Sequence, residues 1–278
     1  MLSKVFPVED LRSTARSKRE QSEFKSISKG KALDPFVNDG WQQHRQGTNT
    51  VRLARAKTRR VLFEDRVWSL LYKLGFSHLS GEGGAELSPD AKTADYPCTQ
   101  IHVVGLDSEV AVAIKCMTAD TPRRYSQFNS ELSEHAKLRQ AFGNSVARQY
   151  PQPHKRTAII AMFTWDLLLS DAEVERAKDE KIALLNEKDL TYYELLVSHL
   201  GEAAKYQFFA DMLPGRRVPG LELRIPALQS KLGKYTYYTF AIEPEYLLKI
   251  AYDGKQKEAR WWLFASQNPA TEGSYDPV

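Results

Sequence analysis

The segment Glu109-Val-Ala-Val-Ala-Ile-Lys-Cys116 most limits what this chain can fold into. Its apolar residues form a nearly unbroken run instead of alternating with polar ones. A strand of that kind is covered on both faces. Thr157-Ala-Ile-Ile-Ala-Met-Phe-Thr164 reads the same way. Chains with such strands place helices over a sheet, which points to the α/β class.

The surrounding segments fit that class. Leu62, Val67, Leu70, Leu71 and Leu74 recur at helical spacing beside Phe63 and Trp68, and Gly75 follows as a stop. These predict a helix over Phe63–Leu74. Gly81-Glu-Gly-Gly84 and Pro89 mark loops around a short strand at Ala85–Ser88. Gln100–Gly105 reads as a strand joined to Glu109–Cys116 through a turn at Leu106-Asp-Ser108. A helix is expected over Tyr125–Phe142. Another is expected over Asp171–Glu180, with Ser170 as N-cap and acids in its first turn. Lys181–Leu185 is a last short strand. The order is helix, three strands, helix, strand, helix, strand, which predicts a mixed sheet flanked by helices.

Composition excludes several classes. At 278 residues, 42% hydrophobic and 27% charged, the chain can bury a core without disulfides or a structural metal. Taking about 150 residues per domain, it holds one or two domains. No stretch approaches the roughly 20 apolar residues of a membrane span, and Met1–Lys18 lacks a secretory apolar segment. Cys98 and Cys116 form no CxxC pair. The expectation is a soluble cytoplasmic protein.

The net charge of +4 says little, but its placement is uneven. Residues 1–50 read as a basic arm with sparse, aperiodic apolar residues and no core of its own. The densest basic run, Arg52-Leu-Ala-Arg-Ala-Lys-Thr-Arg-Arg60, follows directly. Such a run gains affinity for a phosphate backbone by releasing counterions. It also suits a solvated arm that only improves solubility.

The helix with Phe63-Glu-Asp-Arg-Val-Trp68, followed by Gln100-Ile-His-Val-Val104, resembles the restriction-endonuclease-like PD-(D/E)XK family. The resemblance implies a nuclease domain over residues 51–188. In that family an aspartate stands at the position of His102, and Glu-Cys-Lys stands where this chain has Lys115-Cys-Met117. The aspartate and glutamate hold Mg²⁺, while the lysine acts on the attacking water. All three positions depart here. Imidazole is a poor ligand for a hard cation, Lys115 brings positive charge where a carboxylate belongs, and Met117 moves no proton. The resemblance therefore implies a nuclease scaffold without ordinary nuclease activity.

Glu64 stands where many relatives carry a helix glutamate, and Asp107 and Glu109 lie in the hairpin. The three could form a relocated Mg²⁺ site. They also suit a helix start and a turn. Lys115, at the end of a buried strand, needs either an anion or an exit to solvent.

From Leu190 the pattern changes. Leu190–Gly201 and Glu202–Leu213 read as two helices, and Leu221–Pro226 with Tyr235–Ile242 as a hairpin near Leu232-Gly-Lys234. Tyr235, Tyr237, Tyr238 and Phe240 form an aromatic stripe suited to base stacking, a partner protein or plain packing. Glu243–Ala251 starts a further helix, with Pro244 at its first position. Residues 189–278 are thus read as a small α+β segment. Leu190–Gln207, Arg224–Ala227 and Tyr238–Ile250 resemble the DGQHR-domain proteins, a family that includes a DNA-binding regulator of DNA phosphorothioate modification. The DGQHR string itself is absent. Asp39-Gly-Trp-Gln-Gln-His-Arg45 has its letters with extra residues and at another place.

Together these imply a catalytically degenerate, DNA-binding protein of a bacterial DNA-modification or phage-defence system. Arg52, Arg55, Lys57, Arg59 and Arg60 would contact backbone, with Lys115, Arg123 and Arg124 along the cleft. No cofactor or metal is expected. The alternatives are a metal-dependent nuclease using Glu64 and Asp107 with Mg²⁺, and a subunit that binds a defence-system protein.

Overall fold

The strand foreseen at Glu109–Cys116 lies inside a mixed sheet. A computed structural model describes residues 1–30, 32–88, 98–153 and 156–212, and short strands beyond them. The chain divides into two units, Met1–Glu194 and Leu195–Val278.

The first unit opens with β1 (Leu2–Ser3), β2 (Val5–Pro7) and α1 (Arg12–Arg19), then β3 (Ser22–Ser28), α2 (Asp34–Asn38), β4 (Gln42–Gln46) and β5 (Thr50–Ala56). Next come α3 (Arg59–Lys73), β6 (His78–Ser80), β7 (Ala85–Leu87), β8 (Thr99–Ile101), β9 (Val103–Leu106) and β10 (Val110–Arg123). It continues through α4 (Phe128–Gln149), β11 (Thr157–Leu167), α5 (Asp171–Asp179), β12 (Ala183–Asn186) and the start of α6 (Glu187–Leu200).

The sheet order is β12-β11-β10-β9-β6-β2. Strands β10, β11 and β12 run parallel, while β9, β6 and β2 pair antiparallel. One face packs on α4, through Ala111, Ala113, Phe128, Leu132, Phe142 and Val146. On α3, Phe63, Val67, Trp68, Leu70 and Leu71 are buried. Each large apolar side chain so buried stabilises by roughly 1.5–3 kcal/mol. The fold is mixed α/β, as the strand pattern required.

Local signals set the boundaries. Thr58 caps α3, its hydroxyl accepting from the Val61 N–H at 3.4 Å, so the helix starts before Phe63. Ser170 and Glu173 form the capping box of α5. Gly84 has φ of +89°, and a Cβ there would lie 2.4 Å from the Ile101 carbonyl oxygen. Only glycine lets the chain before β7 approach β8 that closely.

Residues 1–50 correct the expectation of an arm without a core. β3, β5 and β4 form an antiparallel sheet in that order, burying Ile27, Val51 and Leu53 against Leu33, Phe36 and Trp41. Leu2 and Val5 join the main core. Val51 and Leu53 alternate within β5, but β3 buries Ile27 alone and β4 nothing, so two of the three strands show no period of their own.

In the second unit, Gly201 takes φ of +59° between α6 and α7 (Lys205–Met212). Leu196, Val197, Leu200, Phe208, Phe209 and Met212 are buried. β13 (Ser230–Leu232) pairs antiparallel with β14 (Tyr235–Tyr237), Leu232 opposite Tyr235. The partner of the Tyr235 strand is therefore Ser230–Leu232. The segments 221–226, 238–242 and 243–251 lie outside the described residues. β15 (Phe264–Ala265) pairs with β16 (Asp276–Pro277).

Candidate functional site

Strand alternation sends Lys115 and Met117 to the α4 side of the sheet, with Ala111 and Ala113. There Met117 is partly buried against the core. The Lys115 ammonium pairs with Glu131 of α4. Strand burial left this lysine needing an anion or an exit, and the fold supplies the anion. Glu131 went unnoticed in the sequence, although it stands in the first turn of α4, where an acid suits the helix dipole.

His102 sits at a break in the strand expected over Gln100–Gly105. β8 belongs to the sheet β1-β7-β8 and β9 to the six-stranded sheet, so the chain changes sheets at this residue. The backbone ladder between β9 and β10 ends at the pair Val103 and Ile114. Beyond it, the Cys116 N–H donates to His102 Nδ1 at 3.0 Å. The imidazole thus replaces a missing backbone acceptor.

The electrostatics around that ring are closed. Burial lowers the His102 pKa; Glu64 and the Cys116 backbone oppose the shift, while Arg60 and Lys115 add to it. The lowered pKa favours the neutral ring at pH 7, with one proton shared between two nitrogens whose roles follow from the tautomer. Nε2 lies 3.2 Å from Arg60 Nη2, within hydrogen-bond reach of that guanidinium. Arg60 is also held by Glu64, whose Oε1 accepts from Arg60 Nε at 2.8 Å. Glu64 Oε1 also lies 3.3 Å from His102 Nδ1.

These residues do not fit a hard divalent cation. At the three positions where the nuclease resemblance requires two carboxylates and a lysine stand an imidazole already accepting a hydrogen bond, an ammonium and a thioether. The remaining oxygen donor, Glu64, is engaged by Arg60. Among the described residues no group of three or more His, Cys, Asp and Glu is placed to hold a metal.

Asp107 lies elsewhere. Its Oδ1 accepts from Ser108 Oγ at 2.8 Å and from the Glu109 N–H at 3.4 Å, and its carbonyl accepts from Arg156 Nε. The run Val110–Cys116 separates it from His102, about 20 Å of strand at roughly 3.3 Å per residue. Glu64 and Asp107 are not brought together.

The basic candidates divide sharply. Lys57 is buried: its ammonium donates to Asp65 at 2.8 Å and to the Ser17 carbonyl at 2.7 Å. It cannot reach a phosphate. Arg55 pairs with Glu23 at 2.8 Å and lies over the Trp41 ring. Arg59 pairs with Asp166, donates to the Asp120 carbonyl at 2.7 Å and lies over Trp165. Arg60 is exposed but paired with Glu64. Arg52, Arg123 and Arg124 are exposed. Sequence counting missed this division because a charge run does not show which cations the fold consumes.

His135 of α4 is buried, its Nε2 3.0 Å from the Ala161 carbonyl oxygen. Burial is the main cause that lowers its pKa to about 4. The neutral ring therefore donates to that carbonyl.

No helix among the described residues is long and apolar enough to cross a membrane. No family model matches the chain, and no curated protein does. Among solved structures, protein VC1899 from Vibrio cholerae aligns at 12% identity with a TM-score of 0.35, over 71% of this chain. The match spans 50% of that protein, and a likeness this weak carries no conclusion about the chain.

Proposed function

We propose that the chain is a catalytically degenerate, nuclease-fold protein that binds DNA without cutting it. The observation that carries this reading is the closed charge network around His102. Arg60 neutralises Glu64 and Lys115 pairs with Glu131, at positions where the nuclease resemblance calls for a metal. A site that holds its own cations has no need of Mg²⁺ and no carboxylate left to bind it. Further support comes from the resemblance of Leu190–Gln207 and Tyr238–Ile250 to DGQHR-domain proteins. That resemblance also suggests a role in a cytoplasmic bacterial DNA-modification or phage-defence system, beside a protein partner.

The test is incubation of supercoiled plasmid with the full chain and Mg²⁺ or Mn²⁺. The plasmid should be retarded in a gel and remain supercoiled. Nicking that disappears in Glu64→Ala would contradict the reading in favour of a metal-dependent nuclease. An unretarded plasmid would contradict DNA binding.

A further inference from the structure

The small sheet places two arginines opposite one another in register, and no carboxylate pairs with either among the described residues. Arg45 of β4 lies directly opposite Arg52 of β5. Residues paired in this way leave the same face of the sheet. Like charges directly opposite one another destabilise a strand pair. Among the described residues neither arginine has a carboxylate partner, whereas Arg55, on the other face, has Glu23.

The rest of that face suits an anion. By register it carries Phe24, Ser26 and Ser28 of β3, Gln42 of β4, and Thr50 and Ala54 of β5. No acidic residue stands among them. β4 is exposed along its whole length. The Arg52 guanidinium lies over the half-exposed Phe24 ring at 4.2 Å, and the His44 ring meets the same ring edge-on at 5.2 Å. Stacking orders the guanidinium while its N–H edge stays available to an acceptor.

We propose that this outer face of the sheet β3-β5-β4 takes the phosphate backbone of DNA, with Arg45 and Arg52 as the phosphate contacts and Phe24 holding Arg52 in place. The inference rests on the DNA-binding reading above and names the surface that performs it. A phosphate between the two arginines removes their repulsion, so the bound state gains what the free sheet lacks.

The experiment compares Arg45→Gln/Arg52→Gln with wild type by fluorescence anisotropy on a short duplex, between about 50 and 200 mM salt. Lys137→Gln/Lys178→Gln removes the same charge from a different surface and serves as control. The sheet variant should bind roughly tenfold more weakly, with the slope of log K against log salt shallower by at least about 1. The control should bind as wild type. The thermal midpoint of the sheet variant should be no lower than wild type, because a repulsive pair has been removed. Unchanged affinity and slope in the sheet variant would overturn this surface and leave the DNA-binding reading standing. Equal losses in both variants would overturn it too, as a net-charge effect. A wild type that binds no duplex would overturn the DNA-binding reading, and this surface with it.

Discussion

His102 is half-buried and His135 buried, and each imidazole performs a structural task. His102 accepts from the Cys116 N–H, and His135 donates to the Ala161 carbonyl. Their titration has a consequence for stability. The pKa of His135 in the fold is about 4, below the roughly 6.5 of an unfolded histidine. Below pH 6.5 the unfolded chain therefore binds a proton that the fold refuses. The contribution of His135 is complete above about pH 6.5 and is lost as pH falls toward 4, by about 3 kcal/mol. His102 shifts in the same direction. Unfolding free energy measured by urea titration at pH 7, 6, 5 and 4 should fall less steeply in His135→Leu than in wild type. Parallel profiles would contradict this account of the buried ring. The sequence marked His102 only as a departure from the pattern of a nuclease resemblance. The acceptor role was not legible, because it depends on where β8 leaves one sheet and β9 joins another.

Elements were legible in proportion to how local their signals are. The buried strands β10 and β11 showed in their apolar runs, and α5 in Ser170 and Glu173, since each signal lies within a few residues. The three-stranded sheet of the first unit was not visible, because Ile27 and Val51 find each other only across β3 and β5. The same limit applies to Asp65. It sits in α3, accepts from Lys18 at 2.7 Å and from Lys57 at 2.8 Å, and is 5% exposed. This bridge joins α1 and the end of β5 to α3. Asp65→Ala leaves two ammonium groups without their shared carboxylate, at a cost of about 3–5 kcal/mol. A urea-denaturation midpoint reads that loss directly. A cost below about 1 kcal/mol would show that Lys18 and Lys57 find water or another acceptor instead.

For the molecule as a whole, the net charge of +4 is a poor guide, because the fold spends many of its cations internally. Lys18, Arg55, Lys57, Arg59, Arg60, Arg66 and Lys115 all face carboxylates. Arg45, Arg52, Arg123 and Arg124 are exposed. The sequence showed His102, Lys115 and Met117 only as departures from the pattern of a resemblance. It could not show that Glu131 and Arg60 complete a closed charge network around those departures. A protein that binds DNA through a few exposed arginines must release counterions when it binds. The most direct measurement is therefore the affinity of the full chain for duplex DNA across about 50 to 200 mM salt. The account predicts a straight decline of log K with log salt, with a slope of roughly −0.9 for each phosphate neutralised. Weak binding that ignores salt would contradict it.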